Sequence, residues 1–142
     1  MSELIRAAMV PELLVKNLAR SLSFWVDVCG FQIAYRREAE RFAYLDLGGA
    51  QFMLVELGEG DYWVTGSLEP PLGRGINFEI KIDAVEPLLQ RLAANEWPLF
   101  RQPHECWYRS GATEVGVRQF LVQDPDGYLL RFSAKVGERP VA

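Results

Sequence analysis

The chain has 142 residues, 49% hydrophobic and 24% charged, which suits one globular domain or two small modules sharing a core. A net charge of -4, an isoelectric point near 5.1 and the lack of a basic stripe exclude a phosphate-backbone binder, so no nucleic acid is expected as partner. Glu3, Arg6, Pro11 and Glu12 break the apolar start between Met1 and Val15, and no run approaches the roughly 18 apolar residues of a membrane span. The expectation is a cytoplasmic protein with no membrane contact. Cys29 and Cys106 belong to no CxxC pair and read as two free thiols.

In chain order, Leu13-Leu14-Val15 predicts a strand. A helical spacing of Leu18, Leu22, Trp25, Val26 and Cys29 follows, with Asn17 as N-cap and Gly30 as C-cap. Trp25 lies on the apolar stripe and is expected in the core. Extended segments follow over Phe31 to Arg36, Phe42 to Leu47 and Gln51 to Leu57, with a turn at Gly48-Gly49. The paired prolines Pro70-Pro71 favour an extended connector. The pattern then recurs. Phe78 to Asp83 predicts a strand, and Val85, Leu88, Leu89 and Leu92 predict a helix capped by Asp83 with Glu86, which Pro87 restricts to starting about there. Leu99 to Gln102, Arg118 to Gln123 and Tyr128 to Ser133 are the matching extended segments.

The caps Asn17 and Asp83 are 66 positions apart, the same offset that relates Phe31 to Trp97, whereas the turn glycines Gly49 and Gly127 are 78 apart. The second unit therefore carries about 12 additional residues between Pro103 and Val117, read as a loop that holds His104, Trp107, Tyr108 and Arg109. The fold class is α+β, with two tandem βαβββ modules forming curved mixed sheets around an open cleft. Its parts are a first module over 7–60, a connector over 61–73, a second module over 74–136 and a tail over 137–142.

Three ordered stretches carry a resemblance: Leu14-Val15-Lys16-Asn17-Leu18-Ala19-Arg20-Ser21-Leu22-Ser23-Phe24-Trp25 with Gly30-Phe31, then Leu47-Gly48-Gly49, then Asp124-Pro125-Asp126-Gly127-Tyr128-Leu129-Leu130-Arg131-Phe132. Together they resemble the vicinal oxygen chelate superfamily, in its glyoxalase and bleomycin-resistance branch. Enzymes of that family hold a divalent metal in the cleft through His, Glu or Gln side chains. The resemblance places the ligand positions at Val10, Gly75 and Arg131, none of which offers a metal donor at neutral pH. A one-residue strand slip would exchange faces and bring Glu12, Asn77 or Glu56 inward. No metal and no cofactor are expected. The stretch Val10-Pro11-Glu12-Leu13 also resembles the bleomycin-resistance proteins in its proline. That resemblance implies a non-catalytic homodimer sequestering a cationic, aromatic ligand such as a bleomycin-type antibiotic in a shared cleft.

Such a cleft needs flat aromatic faces and carboxylates. Tyr62 and Trp63 after the first module and Trp107 and Tyr108 in the insertion are candidate clamps, although either pair would equally cover a core edge or a dimer contact. Glu56 and Asp61 are candidate carboxylates beside Asp46 and Glu59. Arg131 suits an anionic group, or an ion pair with Glu56 or Glu79 in the vacated metal site. His104, the only histidine, is a ligand contact, with Cys106 within reach as i+2 in an extended segment. Asp124 and Asp126 are explained by turn chemistry. Two alternatives stay open: a glyoxalase- or dioxygenase-type enzyme of the same fold, and a binding module for another metabolite.

Overall fold

The computed structural model describes residues 3–59 and 63–141. The first unit runs β1 (Glu12–Val15), α1 (Leu18–Leu22, continued by a π-helical turn over Ser23–Val28), β2 (Gln32–Arg37), β3 (Phe42–Leu47) and β4 (Ala50–Glu56). The second runs β5 (Asn77–Lys81), α2 (Glu86–Ala94), β6 (Arg101–Ser110), β7 (Thr113–Gln123) and β8 (Leu129–Pro140). Two four-stranded sheets result, in the orders β1-β4-β3-β2 and β5-β8-β7-β6. In each, the first strand runs parallel to the last and the remaining pairs are antiparallel. The two βαβββ modules are thus present, with equivalent topology.

Alternation along the strands sends one face of each sheet inward. Leu13 and Val15 on β1, Ala43 and Leu45 on β3, and Phe52 and Leu54 on β4 are buried. So are Ile80 on β5, Phe120 and Val122 on β7, and Leu130 and Phe132 on β8. Both sets join both helices in one core. An aromatic chain crosses between the modules: the Trp25 ring lies 4.9 Å from Phe52, and Phe52 lies 5.2 Å edge-on to Phe78. Phe24 meets Trp97 at 4.8 Å. Full burial of such side chains stabilises by about 1.5–3 kcal/mol each, so the aromatic junction contributes to both modules at once.

Asn17 caps α1 as expected, its Oδ1 accepting from Arg20 N at 2.9 Å. The 3.6-residue spacing fails further on. In the π-turn Cys29 N donates to Phe24 O, five residues back, and this wider winding buries Phe24 and Val28 where the periodicity placed Val26. The second helix begins later than expected. Its N-cap is Val85, without a side-chain cap, and Pro87 sits in the first turn, where its missing N–H costs nothing; Asp83 does not cap it.

The insertion is not a loop. Residues Arg101–Ser110 and Thr113–Gln123 form a long hairpin closed by Gly111 and Ala112, and β8 extends to Pro140 to pair with it, through residues assigned above to a tail. Gly111 has φ +66°, the left-handed conformation such a two-residue turn requires.

The Asp124-Pro125-Asp126-Gly127 turn does more than reverse the chain. Asp124 Oδ1 accepts from Asp126 N at 3.0 Å and Tyr128 N at 2.8 Å, the expected Asx geometry. Its other oxygen accepts from the Trp25 indole at 3.1 Å, and Asp126 accepts from Lys16 N at 3.3 Å. The turn therefore clasps the start of the first module. Burial raises the Asp124 carboxyl to about 6, against the hydrogen bonds from Trp25 and Tyr128 that lower it.

Candidate functional site

The faces of the two sheets turned away from the core carry the polar chemistry. On the second sheet, Asn77 and Glu79 (β5), Arg131 and Ser133 (β8), Gln119 (β7), and His104, Cys106 and Tyr108 (β6) share this face by strand register. Arg131 Nε donates to Asn77 Oδ1 at 3.1 Å, and its guanidinium lies 3.5 Å from Glu79, which also accepts from Ser133 at 3.4 Å. Gln119 is almost wholly buried, and its amide nitrogen lies 3.1 Å from His104 Nε2 and 2.8 Å from Tyr108 Oη. His104 Nδ1 faces the Gln102 carbonyl at 2.9 Å, which can only accept. In the neutral imidazole Nδ1 therefore holds the proton and Nε2 accepts from Gln119. The Tyr108 hydroxyl, accepting from Gln119, keeps its own hydrogen for a ligand. Gln119 Oε1 is buried without a partner among the described residues.

On the first sheet, Val10, Glu12, Leu14 and Met53 line a groove of about 500 Å³ with Trp63, Leu68 and Tyr128. A second groove of about 460 Å³ shares Val10 and passes Gln51 to reach Asn77 and Glu79, so the two join the modules along their adjacent edges. Trp63 is 96% exposed, an indole held at a groove rim with almost none of its surface covered. Glu12 has no polar partner among the described residues and faces the same groove as Trp63.

The residues singled out from sequence are distributed unequally. His104, Tyr108 and Arg131 share the open face of the second sheet, and Cys106 does stand beside His104 across Gln119, with its Sγ 3.7 Å from the amide nitrogen. Trp107 points the other way. It packs against Gly116, donates to Glu105 at 2.9 Å and lies under the Arg139 guanidinium at 4.0 Å, so alternation along β6 separates it from Tyr108. Glu56 is on the helix side, accepting from Leu18 N at 2.9 Å and pairing with Arg41 at 2.6 Å, and those bonds hold its carboxyl below the usual range. Asp61 and Tyr62 lie outside the described residues. Gln51 and Gln119 went unremarked in the sequence, although each is a polar residue alternating with buried apolar ones in its strand.

The positions where the resemblance implies a metal do not fit one. Val10 offers no donor, Gly75 stands before β5 in a left-handed conformation, and Arg131 is a permanent cation already engaged by Asn77 and Glu79. Among the described residues no three His, Cys, Asp or Glu side chains come together as a metal site. No helix among them is long and apolar enough to cross a membrane.

Comparison with known proteins agrees with this architecture. No curated protein is a significant match. A glyoxalase/bleomycin resistance protein/dioxygenase superfamily member from Vibrio splendidus 12B01 is 36% identical, over 88% of this chain and 95% of that one, with a TM-score of 0.40. TioX from Micromonospora sp. ML1 is 24% identical, over 92% and 99%, with a TM-score of 0.67. The genomically encoded fosfomycin resistance protein FosX from Listeria monocytogenes is 18% identical, over 94% of each chain, with a TM-score of 0.61. The last two share the fold. The family model for the Glyoxalase/Bleomycin resistance protein/Dioxygenase superfamily matches residues 7–132, and the chain belongs to that superfamily.

Proposed function

We propose that the protein binds a small organic molecule with an aromatic or apolar body and a cationic end, without a metal, in the groove that Val10 shares between the modules. The observation that carries this reading is Trp63, fully presented at the rim of an apolar groove whose carboxylate, Glu12, has no polar partner among the described residues. An indole face and a carboxylate lining the same groove suit a flat cation, and burying Trp63 under a ligand gives a free energy of association that its exposed position otherwise forgoes. Tyr108, His104 and Arg131 are proposed as polar contacts on the open face of the second sheet. Binding without turnover, in the manner of a bleomycin-type resistance protein, is the form this takes here, because the donor set is unsuited to a divalent metal. We place the protein in the cytoplasm as a homodimer; Ile5, Met9, Ile76 and Phe100 present apolar side chains that a second copy would cover.

Titration of tryptophan emission with bleomycin tests the reading. Of the four indoles Trp25 is wholly buried, Trp97 and Trp107 are half-buried with their N–H groups bonded to Gln123 O and Glu105, and Trp63 is the one fully open to a ligand. Saturable quenching at micromolar ligand is expected, and Trp63→Ala removes it. Absence of any saturable change removes the antibiotic as ligand, and a stoichiometric Ni, Mn, Fe or Zn ion in protein purified without chelator overturns the metal-free reading.

A further inference from the structure

The face of the first sheet opposite the core is not bare: residues 3–10 lie across it. Gln51, 6% exposed, is the centre of the contact. Its Nε2 donates to the Ile5 carbonyl at 2.8 Å and its Oε1 accepts from Ala7 N at 2.7 Å. The same amide donates to Asp46 Oδ1 at 3.0 Å and accepts from the Tyr44 hydroxyl at 2.5 Å. All four hydrogen-bonding capacities of the amide are thereby filled, two by the sheet and two by the backbone on either side of one residue. That residue is Arg6. Its guanidinium lies 4.8 Å from the centre of the Tyr44 ring and donates to the Tyr35 hydroxyl at 3.2 Å, and the two tyrosine rings are stacked 5.0 Å apart. Arg6 makes no ion pair among the described residues, and Tyr44 is wholly buried on a face whose neighbour Asp46 is partly open.

The strap is held by these polar contacts and not by burial of its own side chains. Ile5 is 86% exposed and Met9 84% exposed. A segment fixed by one amide, one exposed cation–π contact and one exposed hydrogen bond is readily displaced by anything that repeats its chemistry. The pattern it satisfies is specific: an acyl carbonyl, a planar cation on a flexible stem, and an amide N–H, in that order.

We propose that Gln51, Tyr44 and Tyr35 form a recognition site for a planar cation flanked by peptide-like amides, and that Arg6 of the chain's own strap is its resident occupant. This rests on the reading that the open sheet faces receive a ligand, and it narrows the ligand class to amide-bearing guanidinium or amidine compounds. The strap then competes with the ligand from within the molecule, at an effective concentration of about millimolar.

The probe is N-acetyl-arginine N-methylamide, which carries the three groups in the same order, with the N-acetyl-leucine analogue as control. Binding is followed by NMR at the Gln51 side-chain amide and the Tyr35 and Tyr44 rings, in the full chain and in full-length Arg6→Ser/Ala7→Pro. That variant loses the guanidinium and the Ala7 N–H but leaves Gln51 and both tyrosines in place. The variant is expected to bind the arginine probe about tenfold more tightly than the unaltered chain, with shifts confined to the three named side chains, and to ignore the leucine analogue. Equal binding of both probes, or no saturable shift in a variant whose methyl spectrum shows a native core, overturns the proposal. The readout is independent of Trp63, so this site and the Trp63 groove stand or fall separately.

Discussion

Asp124 offers a sharp test of how the two modules are joined. Its carboxyl is 3% exposed and is raised by burial from an ordinary 3.8 to about 6. Between those values the folded protein keeps the proton and the unfolded chain loses it, so the folded state binds more protons and stability falls as pH rises. The contribution is whole below pH 4 and lost above pH 6. The rise from 3.8 to about 6 corresponds to about 3 kcal/mol. Asp124→Asn abolishes the titration while keeping an Oδ1 acceptor for Asp126 N and Tyr128 N, but it turns an amide N–H toward the Trp25 indole N–H. Urea unfolding of both proteins at stepped pH isolates the group, because every other carboxylate is common to them. The stability advantage of the unaltered chain is expected to shrink by about 3 kcal/mol from pH 4 to pH 7. A difference that is constant with pH, or that grows as pH rises, would refute the account of a buried, proton-retaining clasp.

Other substitutions probe the backbone and the groove. Gly127→Ala places a Cβ 2.4 Å from Pro71 Cβ at a φ of +99°, and a loss of about 2–4 kcal/mol in chemical unfolding is expected. Asn17→Ala removes the α1 cap and should cost about 1 kcal/mol by the same measurement. Trp63→Ala should leave stability within about 0.5 kcal/mol, since the indole covers almost nothing; a larger loss means that Trp63 is packed and not presented. Trp25→Phe removes the strongest bond holding the Asp124 carboxyl down, so the midpoint of the pH-dependent loss should move upward.

Much of this was readable in the residues, and the failures have physical causes. Asn17 fits its cap because a polar side chain stands just before an apolar helical run. Asp83 has the same look, but a proline four residues on fits only the first turn, and the helix starts at Glu86. The stretch His104 to Arg109 shows no apolar alternation, because its strand is open to solvent on both sides, and without a buried face the signal for a strand is absent. Trp107 and Tyr108 are adjacent in sequence and so, in a strand, necessarily opposed. Of the open-face residues, His104 and Arg131 stand out singly in the sequence and Tyr108 as one of a pair with Trp107, whereas the glutamines that organise each face look unremarkable there. Their importance comes from partners more than ten positions away for Gln119 and more than forty for the strap on Gln51.

Each half carries an aspartate at its last hairpin, but the ladders set Asp46 and Asp124 on opposite faces: Leu45 pairs with Phe52 and Val122 with Leu130, so Gln123 stands where Asp46 does and Asp124 lies one residue further on. Asp46 accepts from Gly49 N and holds the Gln51 amide on the open face, while Asp124 is sealed inside against an indole. A one-residue difference between the two turns thus gives the carboxylates separate occupations, one steadying the amide under the strap and the other joining the modules. The halves are not interchangeable: a chain built from two first halves would lack the carboxylates that fasten Trp25 and Lys16, and one built from two second halves would lack the Asp46 and Gln51 that receive the strap.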